Sequence, residues 1–314
     1  MPVLPTAFSP AVITRLALAN VVANGAIVVT GGVVRLTGSG LGCPTWPRCT
    51  ADSFVTTPEM AGHGLIEFGN RLLTFVLTAV AVAVLVAVWR SPRRDLRPLA
   101  VLTFLGIPVQ AAIGGVTVLT GLNPWTVAVH FLVSTLLVAV STVLWLRSRE
   151  PGVGRPVVRR PIALLAGGIA AVTAVVLALG TVVTGSGPHS GDLDDAGVPT
   201  GDRMGFDPET VSRLHADAVF LLVGLTIALL VALYATDAPD RVRRAARDVL
   251  VVQLLQGVVG FVQYFTHLPV VLVLLHMLGA VLVTAYTARL VWSVRGPATG
   301  QPLDAAAVPA TAAR

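Results

Sequence analysis

Eight separate stretches of this chain are apolar for long enough to cross a lipid bilayer. A transmembrane helix needs about 20 predominantly apolar residues. Such runs lie at Leu16–Val34, Leu65–Trp89, Leu99–Leu119, Trp125–Leu146, Ile162–Val183, Val211–Ala235, Val249–Phe265 and Val270–Trp292. The fold class that follows is all-α, a polytopic membrane protein of eight helices. Composition agrees, at 54% hydrophobic and 12% charged residues with a mean hydropathy of +0.81. A soluble chain of 314 residues would need far more charge to cover its surface. The first run is read as a retained helix, because its amino side is barely basic and no small-residue cleavage site follows it.

A net charge of +6 raises the question of a nucleic-acid partner, and the placement of the charge answers it. The chain has no lysine, and its arginines stand in short blocks between apolar runs: Arg90, Arg93, Arg94 and Arg97; Arg147, Arg149, Arg155, Arg159 and Arg160; Arg241, Arg243, Arg244 and Arg247. That is the positive-inside pattern of cytoplasmic loops, not a nucleic-acid surface. The alternate loops are poor in arginine, and the one after the fifth helix is acidic, with Asp192, Asp194, Asp195, Asp202, Asp207 and Glu209. The expectation is a multi-pass protein of the cell membrane with both termini cytoplasmic and two long loops, roughly 35–63 and 185–210, outside.

Cys43 and Cys49 fall in the first of these outer loops, within a segment closed by Pro44 and Pro47. Outside the cytoplasm such a pair oxidises to a disulfide; the other state is two unpaired thiols. Two thiols alone do not complete a four-ligand metal site.

The chain also repeats itself. Thr37-Gly38-Ser39-Gly40 returns as Thr184-Gly185-Ser186-Gly187, Gln110 and Gly114 return as Gln256 and Gly260, and His130 returns as His276. The offsets are 147, 146 and 146. Each unit holds an even number of helices, so the copies share one orientation and a pseudo-twofold axis runs along the membrane normal. This divides the chain into two tandem four-helix bundles, residues 1–150 and 151–314. At an offset of 145, Asn70 stands where the second half has His215.

His215 and His276 are thus on different helices at one depth, and His130 and Asn70 occupy the matching places. Two such imidazoles suit the two faces of a haem iron; the alternative is that each histidine is a hydrogen-bonded packing residue. A matched, repeated pair favours the ligand reading, because ionisable groups at this depth are costly. His189 and His267 lie in outer loops where water satisfies them, and His63 stands at the mouth of the second helix. Glu67 lies three residues before Asn70 on nearly the same face. It is either a group modified for chemistry or a solvated carboxylate favoured by the helix dipole.

Together these residues resemble the haem A synthase family over essentially the whole chain. The resemblance rests on the run Gly31–Gly40, the cysteine-bounded loop, Ile66–Arg71, His130-Phe131, Thr184–His189, Arg213–His215 and His276. It implies oxidation of a ring methyl of haem O to a formyl group by two successive hydroxylations, giving haem A for an aa3-type terminal oxidase. It further implies a haem b on His215 and His276, a substrate haem on His130, Glu67 as the catalytic carboxylate, and a Cys43–Cys49 disulfide. Haem O synthase and an electron donor are the implied partners. Arg35, Arg71 and Arg213 stand where haem propionates would point, and arginine suits a carboxylate. The family pattern has a histidine where this chain has Asn70, so one axial position is left to Asn70, water or His63. His63 is about 10 Å further along the helix axis, which argues against it. The alternative function is a non-catalytic di-haem b-type electron carrier, which gives no reason for Glu67. A secondary transporter would place its polar residues at the midplane.

Overall fold

A computed structural model describes residues 8–150, 152, 154–189, 191–193 and 199–296. Its elements are α1 (Pro10–Leu36), α2 (Ala61–Trp89), α3 (Arg97–Leu119), α4 (Pro124–Ser148), α5 (Arg160–Ser186), α6 (Pro208–Ala235), α7 (Asp240–Phe265) and α8 (Val270–Ser293). Two short strands, β1 (Asp192–Leu193) and β2 (Pro199–Thr200), pair antiparallel between α5 and α6. All eight helices are long and apolar enough to cross a membrane. The protein is multi-pass.

Local signals set the helix starts that matter for the site. Asn123 Oδ1 accepts from Trp125 N at 3.0 Å, and Asp207 Oδ2 accepts from Thr210 N at 2.7 Å. In both helices the next residue is a proline, which costs no hydrogen bond in the first turn. These caps fix how deep His130 and His215 lie. Several helices begin earlier than hydropathy indicates, and in α7 and α2 this matters. α7 starts at Asp240, so Arg241, Arg243, Arg244 and Arg247 lie on its first two turns instead of in a loop. Ion pairs hold that extension, Arg243 to Asp240 at 2.6 Å and Arg241 to Glu150 at 2.7 Å. α2 starts at Ala61, which puts Asn70 about two and a half turns from its end rather than within two.

The packing is symmetric. α1 lies on α2 and α4, α2 on α3, and α3 on α4; the same relations hold for α5, α6, α7 and α8. Across the halves α1 meets α8, α4 meets α5, and α4 meets α8 on the pseudo-axis. Small residues permit the close crossings: a Cβ on Gly25 would lie 3.1 Å from Val281 Cγ1, and one on Gly32 2.5 Å from Met277 Sδ. Buried amides add polar contacts, with Asn20 Nδ2 donating to Ser141 Oγ at 3.1 Å between α1 and α4. Large apolar side chains such as Phe75, Phe265 and Val271 point outward instead, as lipid-facing surfaces require.

Candidate functional site

Each of the three intramembrane histidines rests its ring on a glycine of a neighbouring helix. A Cβ on Gly114 of α3 would lie 3.1 Å from His130 Cε1; on Gly260 of α7, 3.2 Å from His276 Cε1; and on Gly180 of α5, 3.3 Å from His215 Cε1. Any larger residue would push the imidazole aside. The backbones are held as well. Gln110 Nε2 donates to the carbonyl of His130 at 3.0 Å and to Ser134 Oγ, and Gln256 Nε2 donates to the carbonyl of His276 at 2.7 Å. The Gln and Gly marks of the repeat are therefore the devices that place the histidines. Gly180 does the same for His215, and the sequence did not single it out. In all three histidines Nδ1 is buried without a hydrogen bond of good geometry among the described residues, and the backbone of Val176 on α5 stands near that of His215. His215 and His276 lie within electrostatic range of each other.

The first half differs at the matching place. Asn70 Oδ1 accepts from Thr30 Oγ1 of α1 at 2.7 Å, which ties the amide to the helix wall. His63 is exposed at the start of α2, its Nδ1 2.9 Å from Ser39 Oγ. It belongs to the loop and is remote from Asn70, as the helix rise requires.

Glu67 is 5% exposed, so it is not a solvated carboxylate. Oε1 accepts from Arg71 Nε at 3.0 Å and Arg71 Nη2 at 2.5 Å, and Oε2 accepts from Cys43 N at 2.6 Å. Arg71 also donates to the carbonyls of Cys43 (2.9 Å), Thr45 (3.0 Å) and Arg48 (3.2 Å). The Glu67–Arg71 pair thereby clamps the loop closed by the Cys43–Cys49 disulfide. Trp46 of that loop reaches α3, where a Cβ on Gly115 would lie 2.5 Å from its ring. Adjacent glycines of α3 thus receive the His130 ring and the loop's tryptophan.

The remaining arginines part company. Arg213 is exposed and paired with Glu209 on the same helix. Arg35, near the end of α1, donates from Nη2 to the carbonyl of Thr184 on α5 at 3.3 Å. The two long loops meet beside it: Gly40 N donates to Gly191 O at 2.8 Å, and Ser39 bridges to Asp192. The structure brings together Glu67, Arg71 and the cysteines, and His215 with His276. It leaves Arg213 outside both groups.

Fold and candidate site define a class: an all-helical multi-pass membrane protein whose intramembrane histidines stand near the starts of α4, α6 and α8. The chain matches the cytochrome oxidase assembly protein family (COX15-CtaA) over residues 14–288, and it belongs to that family. Similar proteins include the haem A synthase of Bacillus pumilus, 35% identical over 124 residues, covering 38% of this chain and 39% of that protein. The haem A synthase of Listeria monocytogenes is 32% identical over 116 residues, 36% of this chain and 38% of the relative. That of Halalkalibacterium halodurans is 29% identical over 133 residues, 41% and 44%. The matched part of this chain spans about two fifths of each relative's length.

Proposed function

We propose that this protein is a haem A synthase, oxidising the ring methyl of haem O to a formyl group by successive hydroxylations. The observation that carries the reading is the unequal pair of sites. One half has two histidines in mutual range; the other has one, with a buried carboxylate and a disulfide loop clamped above it. An electron carrier needs no such difference.

The donor set fits haem. Each imidazole has a ring face cleared by glycine and a buried Nδ1 free of a close protein hydrogen bond, and glutamine pins the backbones of His130 and His276, so the rings are placed to offer a nitrogen to haem iron. In this reading His215 and His276 hold a haem b in residues 151–314, and His130 holds the substrate haem in residues 1–150. The bound haems supply the redox chemistry. Asn70 is tied to Thr30 and a neutral amide is a poor ligand for haem iron, so His130 would be the one protein ligand of the substrate haem. Glu67 is the carboxylate of the reaction. An ionised carboxylate has about four acceptor positions; Arg71 and Cys43 use three, which leaves one on Oε2 for the substrate. That atom stabilises positive charge developing on the ring substituent, while Arg71 and the loop keep it in place and exclude water. Haem O, with its isoprenoid tail, enters from the bilayer between apolar helices. Haem O synthase, an electron donor and an aa3-type oxidase are the partners this role implies.

The arginine blocks support an arrangement in the cell membrane with both termini cytoplasmic and the cysteine loop outside. The test of function is expression in a host that makes haem O but no haem A, followed by extraction and chromatography. Haem A is expected. Folded protein in the membrane without haem A would sink the proposal.

A further inference from the structure

Arg35 belongs to the first half by sequence and to the second half by position. Its guanidinium meets the carbonyl of Thr184, one turn (about 5.4 Å) beyond Gly180, against which the His215 ring rests. On α1 it stands three residues beyond Gly32, which packs on Met277, the neighbour of His276. Two independent contacts thus put Arg35 about one turn outside the level of both second-half histidines. The repeat supplies no equivalent in the other half, where Val182 takes its place.

The loop after α5 closes around it. Arg203 donates from Nη2 to the carbonyl of Pro188 at 2.8 Å, and its neighbour Met204 donates N–H to the carbonyl of Gly185 at 3.1 Å. Both arginines therefore grip one corner of chain, residues 184–188, and His189 follows directly. The stem of Arg35 passes 3.5 Å from where a Cβ on Gly191 would lie. Arg35 Nε is buried with no hydrogen-bond partner, and neither arginine forms an ion pair among the described residues. Burial, and then the charges of Arg35 and Arg203, push His189 below the usual imidazole range. The nearby Asp192 accepts from Thr200 Oγ1 at 2.6 Å and has further partners of its own. A half-buried guanidinium whose Nε is buried and unpartnered has a donor to spare for an anion.

We propose that Arg35 and Arg203, with His189 beside them, form a carboxylate-binding corner that takes the propionates of the haem held by His215 and His276. This rests on the haem reading above. It replaces the sequence expectation for two arginines: Arg71 is spent on Glu67 and the cysteine loop, and Arg213 on Glu209. The consequence is that α1 of one half completes the cofactor site of the other.

The test is a redox titration of the purified holoprotein, following the low-spin haem signal and its retention in detergent. Removing a positive charge beside a haem favours the oxidised state. Arg35→Gln should lower the midpoint potential and weaken haem retention about tenfold, with Arg203→Gln shifting the same way by less. Arg213→Gln should match wild type. Unchanged potential and retention in both Arg35→Gln and Arg203→Gln would overturn the corner, as would an equal shift in Arg213→Gln. If Arg35→Gln fails to fold, Arg203→Gln in the loop decides alone. The haem reading has its own control. A low-spin signal that survives His215→Ala and His276→Ala would remove that reading, whereas loss of the signal there with inert arginines removes only the corner.

Discussion

At the scale of single residues, the site is a set of polar atoms whose partners are unequal. If His215 and His276 hold the proposed haem b, replacing either with alanine should abolish its low-spin signal. Optical and electron paramagnetic resonance spectra of the purified variants check this, and unchanged spectra in both would remove the assignment. Glu67 holds the cysteine loop, and the proposed function gives it a second job that substitution can separate. Glu67→Ala leaves the half-buried Arg71 and the Cys43 N–H without their acceptor. Breaking a buried ion pair costs about 3–5 kcal/mol, reduced here because Arg71 keeps its carbonyl partners. Glu67→Gln keeps an acceptor oxygen but loses the charge. Both variants should retain the second-half haem signal and lose conversion of haem O, with Glu67→Ala melting lower than Glu67→Gln. Near-normal haem A yield from Glu67→Gln would confine Glu67 to holding the loop.

At the scale of elements, α3 and α7 act as ring-receiving surfaces. Alanine for glycine in a helix interior is intrinsically favourable by about 1 kcal/mol, yet a Cβ at position 260 would press on His276 Cε1 at 3.2 Å. Gly260→Ala should therefore leave thermal stability equal or higher while shifting or weakening the low-spin spectrum. A variant with lower stability and an unaltered spectrum would mean that the glycine serves packing alone. The cysteine loop is the second such element. Cys43 and Cys49 are buried and joined, so neither should react with an alkylating reagent until a reductant is added. Chain-entropy arguments give so short a loop about 2 kcal/mol from its crosslink. Loss of the disulfide should loosen the cover over the first half more than the second.

At the scale of the whole molecule, the two halves are symmetric in packing and unequal in chemistry. His130→Ala should remove the first-half haem signal and spare that of His215 and His276, since the sites share no ligand; simultaneous loss of both would mean one shared haem. Orientation is tested by a reporter fused after the last helix, which should be inaccessible from outside intact cells. An exposed reporter would invert the assignment. The halves are joined by α1 on α8, α4 on α5 and α4 on α8, and by the contact of Arg35 with the carbonyl of Thr184.

The eight spans, the repeat and the residues at its matching places were all legible along the chain. Hydrophobic length and residue spacing are local or periodic signals that need no knowledge of neighbours. His130 and His276 stood out because repetition marks one position twice, and His215 because the same register sets it opposite Asn70. Partnership was not legible in the same way. Arg35, Arg71 and Arg213 look alike at helix ends, yet one keeps a buried, unpartnered Nε, one clamps a loop and one pairs on the surface. Gly180, Thr30, Trp46 and Arg203 carry no local mark at all. Their roles arise where a side chain meets another helix or a loop folding back, and such contacts between distant parts of the chain are decided only when the bundles pack.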